Sequence, residues 1–215
     1  QSRLDDFDGG TVVIRTNTRP RAVIVAPLDR SFYAEGDTVR LISNVTDAQD
    51  STQNLQIRWE ADVLHNNHVH PDVLVSNGPT GWFVGEDHDD GTGISMRIRL
   101  IATDTGGLVD TATVMAFPEL DLEPSRIALA ADSAATGAPV GARFWIRNRG
   151  RMPAQYSRWQ IVTGSIVLAQ GDTLVAARDS VLITTSIALP LGAGRYALRA
   201  LADALGKVPE TDETN

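Results

Sequence analysis

The chain has 215 residues, of which 42% are hydrophobic and 21% are charged, and its formal net charge is -8. This composition supports folded domains with buried cores and is unlike that of a disordered chain. The acidic balance argues against nucleic acid as a partner, because binding it requires a basic face that displaces counterions. No hydrophobic run approaches the roughly 20 residues of a membrane-spanning helix.

The excess negative charge lies in the first half of the chain. Residues 1–118 carry 9 basic and 17 acidic residues, whereas residues 119–215 carry 10 of each. Cysteine is absent, so disulfides and thiol chemistry are excluded. The chain starts at Gln1 and not at methionine, which predicts that a leader has been removed and that the protein is secreted. The alternative is a piece cut from a longer protein.

Residues 1–19 are interpreted as an N-terminal extension. The polar segment QSRLDDFDGG is followed by TVVIRTNT, which predicts a strand. Such a strand either packs on its own domain or adds to the sheet edge of another molecule, and the second possibility leads to a fibre because the contact does not close. The candidate self-association residues are Thr11, Val12, Val13, Ile14, Arg15 and Thr16.

Hydrophobic residues recur with a period of two along most of the chain. The pattern is clear in LQIRWEA (residues 55–61), GISMRIRLIATD (residues 93–104) and PVGARFWIRNRG (residues 139–150). Alternation of this kind predicts strands with one buried and one exposed face. Turn motifs such as DTGG and RNRG separate the runs, and no convincing amphipathic helix is present. Trp145 and Trp159 are expected to fill the second core.

A domain boundary is predicted near FPELDLEPS, residues 117–125. Two prolines bracket an acidic spacer there, and proline tends to end strands because it has no backbone N–H to donate. The predicted domains are residues 20–118 and 119–215. The spacer is short, so we expect the two domains to touch.

Three of the four histidines lie in LHNNHVHPDVL, residues 64–74. His65, His68 and His70 are imidazole donors of the kind that zinc and copper prefer. On a strand, His68 and His70 would point the same way, because side chains repeat every two residues. Three interpretations stay open: an ordered connection held by hydrogen bonds, a transition-metal site, and a calcium site with oxygen ligands.

The segment EDHDDGTG, residues 86–93, is a second candidate for metal binding. It adds His88, Asp87, Asp89 and Asp90 to the possible ligands, and acids before two glycines resemble a calcium loop. The spacing does not match the EF-hand pattern, so a solvated acidic turn is the competing interpretation. The metal predicted by these two segments together is a divalent ion, calcium or zinc.

Aromatic residues suggest a different kind of site. Trp82 and Phe83 lie in GPTGWFVG, where a ring at a loop or edge can stack on a sugar, although burial in a core is the common fate of large aromatics. No GxSxG motif or other nucleophile pattern is present. The sequence therefore predicts a protein without enzymatic activity.

Residues 20–118 resemble the polycystic-kidney-disease-like (PKD) family of β-sandwiches. The resemblance is carried by PRAVIVAP, AEGDTVRLISNVTDAQD, IRWEAD and IRLIATDTGGLVDTATVMAFP, with Trp59 at the position of the family's core tryptophan. The family's FGDG motif is replaced by EADVLHNNHVHPD and GWFVGEDHDDGTG. This variant is similar to the accessory domain that follows the propeller of some secreted quinone-dependent sugar dehydrogenases. No propeller is present in these residues, so the resemblance implies no dehydrogenase activity.

Residues 119–215 resemble the bacterial cell-adhesion-related domain, CARDB. The resemblance is carried by DLEPSRIAL, PVGARFWIRNRG, LPLGAGRYALRALAD and KVPETDETN. The two resemblances imply an all-β fold of two tandem immunoglobulin-like β-sandwiches. They further imply a non-catalytic extracellular protein of structure or adhesion, which assembles with copies of itself or with other surface proteins. An accessory module that binds polysaccharide is the alternative.

Overall fold

The computed structural model describes residues 16–65, 68–86, 94–189 and 192–214. Fifteen strands and one short 3₁₀ turn, Thr52–Asn54, account for the regular structure of these residues. The fold is all-β, as the alternating pattern predicts. Within the described residues, no helix is long and apolar enough to cross a membrane.

The first half of the chain forms two sheets. Its strands are β1 (Arg21–Ala26), β2 (Ser31–Tyr33), β3 (Thr38–Thr46), β4 (Gln56–His65), β5 (His68–Asn77), β6 (Thr80–Val84), β7 (Ser95–Thr103) and β8 (Val109–Pro118). One sheet has the order β1-β3-β6 and the other β2-β8-β7-β4-β5. Neighbouring strands are antiparallel except for β2 and β8, which are parallel. Because it stands last in the order of the larger sheet, strand β5 forms one edge of that sheet.

The second half repeats the two-sheet arrangement. Its strands are β9 (Leu122–Pro124), β10 (Ala128–Leu129), β11 (Pro139–Asn148), β12 (Ala154–Thr163), β13 (Ile166–Val175), β14 (Ser180–Ala188) and β15 (Arg199–Leu201). One sheet has the order β10-β11-β14, with β9 also paired to β11, and the other β13-β12-β15.

The cores follow from the alternating pattern. In β7, Met96, Ile98, Leu100 and Ala102 are buried, while the arginines between them are partly exposed. In β11, the inward residues are buried at every second position from Val140 to Asn148. Burying a large apolar side chain of this kind contributes about 1.5–3 kcal/mol. Each half of the chain thus has its own hydrophobic cluster.

The two halves are in contact, as the short spacer predicts. Ala34, from the first half, belongs to the hydrophobic cluster of the second half. The backbone N–H of Glu35 lies 2.9 Å from the sulfur of Met152. Arg151 binds Asp37 of the first half and Glu119 of the spacer. The division at residues 118 and 119 stays a prediction that this pattern of clusters supports.

The described end of the N-terminal extension differs from its prediction. Thr16, Asn17 and Thr18 belong to no strand, although TVVIRTNT predicts one through Thr18. The Asn17 side-chain amide donates a hydrogen bond to Asp104 (2.9 Å), and Thr18 donates to Gln49. These polar contacts hold the segment against its own domain in place of strand pairing. Residues 11–15 lie outside the described residues.

Candidate metal centre

The inward face of β4 ends in a histidine. Trp59, Ala61 and Val63 alternate along the strand, and each is buried in the first core. His65 continues the same alternation and is only 2% exposed. The period of two thus places an imidazole where the core would otherwise receive an apolar side chain.

The register of β4 and β5 brings the other two histidines to the same face. His68 is paired directly with His65, and His70 is paired with Val63. His68 and His70 are two residues apart on one strand, so they share a face, as the sequence predicts. The three histidines therefore lie on two adjacent strands and not in a loop.

The three imidazole rings form a compact group. The ring centroids of His65 and His68 are 4.1 Å apart, those of His65 and His70 are 4.7 Å apart, and those of His68 and His70 are 5.1 Å apart. One nitrogen from each ring lies within 4.8 Å of the other two. Zinc binds imidazole nitrogens at about 2.0–2.1 Å, which puts tetrahedral ligands about 3.4 Å apart. Nitrogens at the 4.8 Å limit would therefore have to approach one another by about 1.4 Å to bind a single zinc ion.

The burial of the three rings is graded from the core to the surface. His65 is buried, His70 is partly buried and His68 is exposed. An ion held between them would have protein on one side and solvent on the other. In zinc sites, three protein ligands with a fourth position open to solvent are typical of catalytic centres, whereas structural centres have four protein ligands.

Two partly buried ion pairs lie on β4 near the histidines. Asp62, on the face opposite His65, is fully buried. Arg97 of β7 donates to Asp62 Oδ2 from Nε (3.0 Å) and Nη2 (2.6 Å), and Arg99 Nη2 donates to the same oxygen at 3.2 Å. Charge-assisted pairs of this kind are short and directional. They hold the strand that carries His65 in place, which is the support a preorganised ligand needs.

The donor set of the described cluster is nitrogen only. Imidazole suits zinc, copper, nickel and iron, whereas calcium takes oxygen ligands. The other predicted ligands, Asp87, His88, Asp89 and Asp90, lie outside the described residues, so the wider metal site and the calcium loop stay predictions.

The two predicted sugar-contact residues have opposite environments. Trp82 is 62% exposed, whereas Phe83 is 8% exposed and belongs to the first core. Adjacent residues of β6 point to opposite faces, so only one of the two is available at the surface. The prediction that Phe83 contacts a sugar is therefore wrong, because its side chain is buried. The prediction that Trp82 contacts a sugar stays a prediction.

The remaining tryptophans of the second half also differ from each other. Trp159 is buried against Phe144, with ring centroids 5.8 Å apart, as expected. Trp145 is 49% exposed, and the expectation that it fills the core is wrong. The alternation of β11 explains this, because Phe144 and Ile146 on either side of Trp145 point inward.

Comparison with known proteins gives no family. No protein-family model matches the chain, and no curated protein matches it. Among solved structures, it is similar to the Clostridium thermocellum CbhA fibronectin(III)-like modules, with 10% identity, a TM-score of 0.32 and 85% of each chain covered.

Two further solved structures are similar to the chain, with comparably low sequence identities and TM-scores. One is Dpr2 Ig1-Ig2 in complex with DIP-Theta Ig1-Ig3, with 12% identity, a TM-score of 0.35, and 86% of this chain and 64% of that chain covered. The other belongs to the carbohydrate-binding modules of the β-sandwich superfamily, with 12% identity, a TM-score of 0.32, and 87% and 91% covered. These similarities assign neither a family nor a ligand.

Proposed function

We propose that the first half of this protein is a β-sandwich that binds one transition-metal ion through His65, His68 and His70. The observation that carries the proposal is the convergence of three imidazoles on one face of the β4–β5 hairpin, with donor nitrogens within 4.8 Å of one another.

The ion in this proposal is zinc or copper and not calcium. The described donors are nitrogens, and these two metals bind imidazole strongly. The role proposed for the ion is to join the end of edge strand β5 to β4. An ion that binds only the folded state at a concentration 100 times its Kd adds about 2.7 kcal/mol to the free energy of unfolding.

Titration calorimetry of the metal-free protein with zinc and with copper tests this proposal. We expect one ion per chain, and we expect His68→Ala and His70→Ala each to weaken binding at least tenfold. His68 is the better first variant, because it is exposed and its loss leaves the core intact. Asn77→Ala, at the exposed other end of β5, is the matched control.

The outcomes separate the alternatives. Equal binding by the His68→Ala and His70→Ala variants and the wild type would contradict the centre. Tight calcium binding without zinc or copper binding would instead favour the predicted acidic loop at residues 86–93.

The wider role that we propose is that of a non-catalytic extracellular protein of structure or adhesion. The resemblance of residues 20–118 to PKD domains and of residues 119–215 to CARDB domains supports this role. Filament formation by donation of residues 11–16 belongs to the same proposal. Deleting residues 1–19 should leave a folded monomer and abolish any assembly; normal assembly of the shortened protein would contradict it.

Carbohydrate binding is a second candidate function, favoured by the exposure of Trp82. Its indole lies on the outer face of β6, beside Arg40 of β3. An accessory module of a secreted enzyme would use such a surface to hold polysaccharide. Trp82→Ala should then weaken binding to a glycan found on an array, and an array without any signal from folded protein would count against this role.

A further inference from the structure

A second exposed tryptophan lies in the middle of a sheet in the second half of the protein. The outward residues of β11 include Arg143, Trp145 and Arg147, and we call these three the Trp145 face. Trp145 is paired with Leu182 of β14, which is also exposed. Large apolar side chains on the outer face of a central strand are unusual, because that face normally carries polar residues.

The backbone at Trp145 is fixed from both sides. Its N–H donates to Ser125 Oγ (2.9 Å), and the N–H of Ser125 donates to the carbonyl of Trp145 (2.7 Å). Strand β14 pairs along the other side of β11. A ring presented from such a rigid position loses little conformational freedom on binding, which favours affinity.

The charges around Trp145 are positive. Arg143 and Arg147 stand two residues before and after it, so the two arginines are about 13 Å apart along the strand. Glu123 is the acid opposite Arg147, and its carboxylate is bound by Arg149 at 2.6 Å. Within the described residues, neither Arg143 nor Arg147 forms an ion pair. Both guanidinium groups are therefore available to an anion.

A groove lies beside Arg143 on the same side of the sheet. It has a volume of about 340 Å³, and its lining includes Ala130, Gly141, Arg143 and Thr184. This volume is at the lower end of the roughly 300–1,000 Å³ of small-ligand sites. The small residues of the lining let a ligand approach the backbone.

We propose that the Trp145 face binds an acidic polysaccharide. The indole stacks on a sugar ring, while Arg143 and Arg147 pair with uronate carboxylates, which match the planar guanidinium. A peptide strand cannot add here, since β11 is already hydrogen-bonded on both sides. Nucleic acid is disfavoured because it demands a broad basic surface, whereas this face offers two arginines about 13 Å apart.

Affinity electrophoresis of the full chain in polygalacturonate tests the proposal. We expect retardation that weakens as salt is added, and at least a tenfold loss of affinity for Trp145→Ala and for the double variant Arg143→Gln/Arg147→Gln. Methyl-esterified polygalacturonate, which lacks the charge, should bind at least tenfold more weakly. Tyr156→Ala is the matched control, because it removes an exposed aromatic side chain from the other sheet of the second half and should leave the affinity unchanged.

Several results would overturn the assignment. They are equal binding of the esterified polymer, an unchanged affinity of Trp145→Ala in folded protein, or a loss confined to Trp82→Ala. Equal or tighter binding to poly-glutamate or to single-stranded oligothymidine would assign the face to acidic peptides or nucleic acid instead. Absence of binding to polygalacturonate and to alginate would also contradict it.

Discussion

Arg151 donates two parallel hydrogen bonds to the carboxylate of Asp37, at 2.9 Å and 2.8 Å, across the junction between the two halves of the protein. The same guanidinium binds Glu119 through Nε at 2.8 Å. One arginine therefore ties the first half, the spacer and the second half together. Bidentate pairing adds geometric specificity as well as energy.

Arg151→Gln should loosen the junction. We expect a small loss in the free energy of unfolding, since ion pairs this exposed contribute little to stability. We also expect a wider distribution of domain orientations, measured by small-angle scattering and residual dipolar couplings. Arg158→Gln is the matched control, because it removes a bidentate pair with Asp172 that lies within the second half. Equal scattering by both variants would contradict a clamp at the junction.

The same contact predicts a dependence of stability on acid. The hydrogen bond from Arg151 is the main cause that lowers the pKa of Asp37 below its ordinary value of 3.8. The stability that this carboxylate adds is present above that value and is lost as the pH falls through the lower pKa of the folded protein. Asp37→Asn should remove this part of the acid dependence, as measured by urea unfolding between about pH 2 and pH 5.

Glu210 should give the opposite dependence. Burial raises its pKa from 4.5 to about 7, although the N–H of Leu122 donates to its carboxylate; Asp203 and other nearby acids also raise it. The folded state therefore holds this proton more tightly, and stability falls as the pH rises from 4.5 towards about 7. Glu210→Gln keeps an acceptor for Leu122 and should be more stable than the wild type at about pH 8. A wild type with the same stability at about pH 5 and pH 8 would contradict this.

Gly150 lies too close to the spacer for any side chain. A Cβ at this position would lie 2.6 Å from Leu120 Cα and closer still to the Glu119 carbonyl oxygen. Gly150→Ala should therefore destabilise the protein by about 1–3 kcal/mol through backbone displacement. Gly192→Ala places its methyl group in open space and should change stability by less than about 0.5 kcal/mol. Urea unfolding of both variants checks the pair.

Tyr156 occupies a strained position at a β-bulge. Its φ is 50°, in the left-handed region, and the bulge lies between Ala154 and Ser157 of β12. The side chain is mostly exposed, so its removal loses little burial. Tyr156→Asn should stabilise the protein by about 0.5–1 kcal/mol, because asparagine tolerates this conformation. Tyr156→Phe retains the strain and should be neutral; equal effects of the two changes would show that strain is not the cause.

Local patterns were sufficient for the strands and for part of the site. The alternation from Ile94 to Ala102 predicted a buried face, and all five of its residues are buried. The spacing of His68 and His70 predicted that they share a face. Both inferences rest on the period of two, which the strand geometry enforces wherever one face is covered.

Long-range relationships could not be predicted from the sequence. The position of His65 opposite His68 depends on the register of the hairpin, which one residue of slip would reverse. The pair of Arg151 and Asp37 joins residues 114 positions apart. The expectation for Trp145 is wrong because the alternation of β11, and not the size of the side chain, decides which face it lies on.

Anomalous diffraction at the zinc edge, from crystals grown with zinc, shows whether the three histidines bind an ion. We expect one strong peak at about 2.0–2.1 Å from a nitrogen of each of His65, His68 and His70, and its loss in crystals of His68→Ala. A structure with zinc in the medium but no peak among these three imidazoles, or with the only peak elsewhere, would contradict the metal centre.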